Sequence, residues 1–140
     1  MKRILGIDYG DARVGIAITD ALGITVQGLK TIWHKGNDKL LLKEIDLMLN
    51  EYDIDTMVVG MPFNMNGTLS ERAEKTEKFI HKLKCKYNKI EIKTVDERLT
   101  TVQAHRTMND LNIKSANKKG LVDTISAVYI LEVYINQNNL

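Results

Sequence analysis

The chain has 140 residues, 44% hydrophobic and 27% charged, with a formal net charge of +2. That length suits a single folded unit over 1–140 whose core needs no covalent staple, and one cysteine, Cys85, excludes an internal disulfide and a cysteine-based metal cluster. The balance of 20 basic and 18 acidic residues does not by itself announce a nucleic-acid binder, and no apolar run approaches the length of a membrane span.

The start, MKRILGIDYG, has neither a long apolar region nor a small-residue cleavage site, so no signal peptide and a cytoplasmic location are expected. Arg3–Tyr9 reads as a strand, continuous rather than alternating, which suits burial on both faces. Tyr9 to Ala12 reads as a turn, and Arg13–Thr19 alternates with Val14, Ile16 and Ile18 on one face, so the two runs make a hairpin. Gly23 marks the next turn and Thr25–Trp33 a third, weaker strand. Asp38–Asn50 then shows helical period through Leu41, Leu42, Ile45 and Met48. Thr56–Gly60 reads as a buried parallel strand, and GMPFNMNG after it as a loop holding the chain's one proline. Thr68 with Glu71 has the form of a capping box, predicting a helix with Leu69, Ala73, Thr76, Phe79, Ile80 and Leu83 on one face. Ile90–Val95 is a fifth strand, Thr100 with Gln103 predicts another helix, Lys114–Gly120 reads as polar linker, and Leu121–Ile135 as a final helix. The order β-β-β-α-β-α-β-α-α predicts an α/β fold: a mixed five-stranded sheet, three antiparallel strands then parallel ones, with helices on both faces.

Three acids stand at element ends. Asp8 closes the first strand, Glu97 follows the fifth, and Asp123 lies in the expected first turn of the last helix. A carboxylate at the end of a buried run loses water and needs a partner. Each acid has a structural reading: Asp8 as a turn residue, Asp96 and Glu97 as a solvated strand end beside Arg98, Asp123 as complement to a helix N-terminus. Ligands in open α/β sheets gather beyond the carboxyl ends of strands, and the first and fourth strands should be neighbours with the fifth beside them, so Asp8 and Glu97 could share one cleft. Several carboxylates in one cleft persist when a divalent cation neutralises them, and an all-oxygen donor set suits Mg²⁺ or Mn²⁺. Two such ions clamping an in-line displacement would support phosphodiester hydrolysis. Arg98, Arg106, Lys114, Lys118 and Lys119, opposed in that interval only by Asp110, would hold phosphate oxygens. The basic stretch KLKCKYNK, Lys82–Lys89, reads instead as a solvated helix end. His34, His81 and His105 have no zinc-ligand spacing.

The segments LGIDYGDARVGIAITD, GMPFNMNGT, VDERLTT and KKGLVDTISAVYIL together resemble the YqgF/RuvX family of Holliday junction resolvases and pre-16S rRNA processing nucleases, over essentially the whole chain. The resemblance implies an RNase H-like fold. It implies Asp8, Glu97 and Asp123 as metal-binding and catalytic acids, and it brings Arg13, Arg98 and the loop with Asn64 and Asn66 into the site region. Lys118 and Lys119 complete the nucleic-acid-binding expectation. The last motif has Thr124 to Ala127 where the family commonly shows two alanines, and Asp123 is followed at three and four residues by Ser126 and Ala127, so no fourth acid lies within a turn. The partner implied is structured RNA or branched DNA, with the chain a monomer or homodimer and no membrane involved. Two other readings remain open: a non-catalytic nucleic-acid-binding module, and a nucleotide-binding kinase of the actin and sugar-kinase type, whose first hairpin also reads G-x-D-x-G but which needs two such domains.

Overall fold

The computed structural model describes residues 2–64, 66–99 and 115–138, with the backbone alone at 99 and 115–120. Its elements are β1 (Arg3–Tyr9), β2 (Arg13–Thr19), β3 (Val26–Trp33), α1 (Asp38–Glu51), β4 (Ile54–Met61), α2 (Glu71–Lys86), β5 (Glu91–Asp96), a 3₁₀ turn at Glu97–Leu99, and α3 (Ser115–Gln137). The strands form one sheet in the order β3-β2-β1-β4-β5. β1, β2 and β3 are antiparallel neighbours, whereas β4 and β5 run parallel to β1. The expected mixed five-stranded α/β sheet is what the chain forms. No helix among the described residues is long and apolar enough to cross a membrane.

Strand alternation divides the molecule into two layers. Leu5, Ile7, Tyr9, Val14, Ile16 and Ile18 face α1 and α2, which contribute Leu41, Ile45, Met48, Phe79 and Leu83 to the same buried cluster. Tyr9 stacks on Phe79 with ring centroids 4.3 Å apart. On the opposite face Ala17, Val58 and Val95 pack against Ala127, Ile130 and Leu131 of α3. β3 is the sheet edge, and its largely exposed pattern accounts for its weak sequence signal.

α3 lies close to the sheet because glycines line its bed. A Cβ on Gly6 would meet Leu131 at 2.5 Å, and one on Gly28 would meet Thr124 at the same distance. On Gly15 it would fall 1.9 Å from the Asp123 carbonyl oxygen. Only a residue without a side chain allows that approach.

Several local expectations change. α2 is capped by Ser70, whose hydroxyl accepts from the Ala73 N–H and donates to the Pro62 carbonyl, so the Thr68–Glu71 capping box does not form. Thr68 is used by the preceding loop, where its hydroxyl meets Asn66 Oδ1 at 2.7 Å. Leu69, expected on the apolar face, precedes the helix and is exposed. Residues 115–120, expected as linker, are helical, which puts Asp123 in the third turn of α3 rather than the first. The helix expected after Thr100, and His105 within it, lie outside the described residues.

Candidate active site

Asp8 is the penultimate residue of β1 and shares with Gly6 the face covered by α3. Its carboxyl is 4% exposed, as is that of Glu97. β4 separates their strands in the sheet, and Gly60 of β4 leaves the gap open: a Cβ there would approach the Glu97 Cβ at 3.6 Å. The two carboxyl groups come together across it. Burial, then the charge of the neighbouring Glu97, push the Asp8 carboxyl well above its ordinary range, with the Arg72 guanidinium pulling against them. Asp8 is therefore not the residue that shapes the turn after β1. That turn is held by His34, buried, whose Nε2 lies 2.7 Å from the Gly10 carbonyl and whose N–H donates to Ala12.

Asp123 reaches the same end of the sheet from above. Asp8 pairs in register with Gly15, and Gly15 is where the Asp123 backbone touches the sheet. The Asp123 carboxylate forms an ion pair with Arg13 Nε. Burial still raises its pKa, although Arg13 and Arg72 both oppose this. The charge of Asp123 is felt at Asp8. As placed, the three acids are a contacting pair with a third held beside it. No group of three acidic, histidine or cysteine side chains among the described residues is arranged to hold an ion as it stands.

Arg72 was not legible as a site residue. It lies in the first turn of α2, and its Nη2 is 3.3 Å from Asp8 Oδ1, 3.1 Å from the Tyr9 carbonyl and 3.7 Å from Glu97 Oε1. A signal did exist: cations are disfavoured at a helix N-terminus, so an arginine between Glu71 and Glu74 asks for another partner.

The GMPFNMNG loop is largely self-supporting. The Asn64 side chain donates to the Thr68 hydroxyl, Asn66 accepts from the Thr68 N–H, and Arg98 Nη1 donates to the Asn64 carbonyl. Arg98 also grips Asp96 through Nε and stands over the Phe63 ring, with 5.6 Å to its centroid. Arg98 thus ties the loop to the turn that carries Glu97. Asn64, Asn66 and Arg98 have polar groups engaged in this scaffold, and of the three Arg98 is the chain neighbour of Glu97. The backbone of Lys118 and Lys119 lies in α3 shortly before Asp123, and their side chains are outside the described residues.

Two buried carboxyl groups brought side by side offer the oxygen ligands that a hard divalent cation takes, and such a cation would neutralise them. Residues 2–137 match the family model described as RuvX, Holliday junction resolvase. A protein of Ruminiclostridium cellulolyticum named "Putative pre-16S rRNA nuclease" is 51% identical over 135 residues, covering 96% of this chain and 94% of that protein. One of the same name from Acetivibrio thermocellus is 50% identical over 134 residues, covering 96% and 95%. Among solved structures, Thermus thermophilus RuvC bound to a Holliday junction superposes with a TM-score of 0.59 over 98% of this chain and 96% of that one, at 13% identity. The fowlpox virus resolvase with junction DNA gives 0.57 over 94% and 98%, also at 13% identity. At that identity the likeness is one of fold, the RNase H-like fold of the resolvases.

Proposed function

The chain belongs to the RuvX family, and from that premise we propose that it is a metal-dependent nuclease that hydrolyses phosphodiester bonds in the precursor of 16S ribosomal RNA. The observation that carries the reading is the buried contact between Asp8 and Glu97 with Asp123 beside it. Asp8, Glu97 and Asp123 are the residues that would hold Mg²⁺ or Mn²⁺. When bound there, such a cation supplies Lewis acidity toward phosphate oxygens and neutralises the carboxylates. The chain supplies the rest. Asp8 and Glu97 supply buried carboxyl oxygens. Arg13 orients Asp123, and Arg72, whose side chain is 47% exposed, stands where it can turn from the acids to a phosphate. The loop braced by Arg98 shapes the wall beside Glu97. A cytoplasmic location fits the single, unpaired Cys85.

Junction resolution is a second reading, supported by the family description and by the junction-bound fold neighbours. It requires a symmetric dimer to cut two strands. The test is cleavage of a 16S precursor RNA and of a four-way DNA junction, with Mn²⁺, by wild type and Asp8→Ala, alongside solution mass. RNA cleavage by a monomer that falls by more than about a hundredfold in Asp8→Ala supports the first reading. Junction cleavage by a dimer supports the second. Cleavage unchanged by the substitution removes the metal mechanism, and binding without cleavage of either substrate leaves a non-catalytic module.

A further inference from the structure

Trp33 is the chain's only tryptophan, and it is 54% exposed. Leaving most of an indole in water is unfavourable, and nothing in the core calls for it, because Trp33 ends the edge strand β3. Its surroundings are specific. Thr31, two residues earlier, meets Thr124 of α3 at 2.7 Å, so by alternation Trp33 lies on the face that α3 and Asp8 occupy. Trp33 pairs in register with Arg13, and the Arg13 guanidinium stands over the indole at 5.5 Å from the centroid. The same guanidinium is paired with Asp123. One side chain thus links the exposed ring to the acid group. Two strand spacings and two residues along the strand separate Trp33 from Asp8, roughly 12 Å between backbones. That is near enough for neighbouring nucleotides of one strand.

We propose that Trp33 is a stacking platform for an unpaired nucleobase next to the scissile phosphate, with Arg13 holding the intervening backbone, so that this site takes single-stranded rather than fully paired nucleic acid. An indole face accepts any base, and an arginine at its side attracts the attached phosphate. In a duplex the base faces are already stacked on one another, so the platform has nothing to receive. The proposal rests on nucleic acid being the substrate and deepens that reading by naming the strand state.

The lone tryptophan makes the test direct. Full-length wild type is titrated in EDTA, so that nothing is cut, with a single-stranded oligoribonucleotide and with the perfectly paired duplex of the same sequence. Trp33 emission reports stacking, and anisotropy of a dye on the RNA reports binding. The expected result is quenching by the single strand and none by the duplex. Trp33→Phe keeps an aromatic face and stays close to wild-type affinity. Trp33→Ala weakens single-strand binding by roughly 5- to 150-fold, leaves duplex binding unchanged, and melts with the wild type because the ring is outside the core. Single-strand binding without quenching, or with Trp33→Ala as tight as wild type, overturns the platform while leaving the nuclease reading standing. Equal quenching by the duplex overturns the strand preference. Absence of binding to either RNA removes the platform, while the nuclease reading stands or falls on the cleavage assay with Mn²⁺.

Discussion

At the scale of residues, Asp8 shows how position decides chemistry. Burial and the neighbouring Glu97 raise its pKa above the ordinary 3.8. In the window between 3.8 and that raised value the folded state binds more protons than the unfolded one. Stability without metal therefore falls as pH rises through the window and levels off above it. Asp123, also raised, adds a slope of the same sign. Asp20, Asp46 and Asp96, whose pKa values are lowered by hydrogen bonds, act in the opposite sense, and only as pH falls below 3.8. Urea unfolding in EDTA should accordingly show a higher midpoint at about pH 5 than at about pH 7. Asp8→Asn should flatten most of that difference and raise the neutral-pH Tm. The same substitution should abolish cleavage, separating a stabilised fold from a lost function. Asp8 was legible because an acid closing a buried strand loses water and needs a partner. Arg72 was not legible because Asp8 and Tyr9, which it contacts, lie more than 60 positions away in the chain.

Among the elements, α3 decides the site. Its apolar run was visible in the sequence, but its start was not. Residues 115–120 are mostly polar and include Gly120, so they read as linker although they are helical. Gly6 and Gly15 were not legible as a bed for a helix, because the backbone they admit comes from more than a hundred positions downstream. Gly15→Ala puts a methyl group 1.9 Å from the Asp123 carbonyl oxygen, so α3 must retreat there. The expected penalty is about 1–3 kcal/mol in urea unfolding. Activity at a temperature where the variant remains folded should fall as well, since the retreat carries Asp123 away from Asp8. Activity equal to wild type in a folded Gly15→Ala variant would show that the placement of Asp123 is not required.

For the whole molecule, the two faces of the sheet have separate work. The face under α1 and α2 holds the larger buried cluster. Two of its lysines are committed to neighbouring acids: Lys82 reaches Asp38 and Lys86 reaches Asp46, each at 2.9 Å, joining α2 to α1. The basic run Lys82–Lys89 thus behaves largely as helix surface. The acids, Arg13 and Trp33 gather under α3 at the other face. Lys82→Ala with Lys86→Ala should leave RNA affinity within about twofold and lower stability by no more than about 1 kcal/mol in total. Arg13→Ala should weaken binding and reduce its salt dependence. Parallel titrations at several salt concentrations check both. A large loss of affinity in the lysine pair would move the interface to the other face.

The sequence by itself determined the succession of strands and helices, the mixed sheet, and the three acids worth watching. Each of those is written in local periodicity or in a polar residue at the end of an apolar run. The tertiary structure alone decided that Asp8 and Glu97 touch across β4, that Asp123 is fixed through Gly15 and Arg13, and that Ser70 rather than Thr68 caps α2. Local signals report the repeat of the backbone, which is set within a few residues. Contacts such as that between Arg13 and Asp123, 110 positions apart, depend on which faces pack and how closely, and that is settled only when the layers meet.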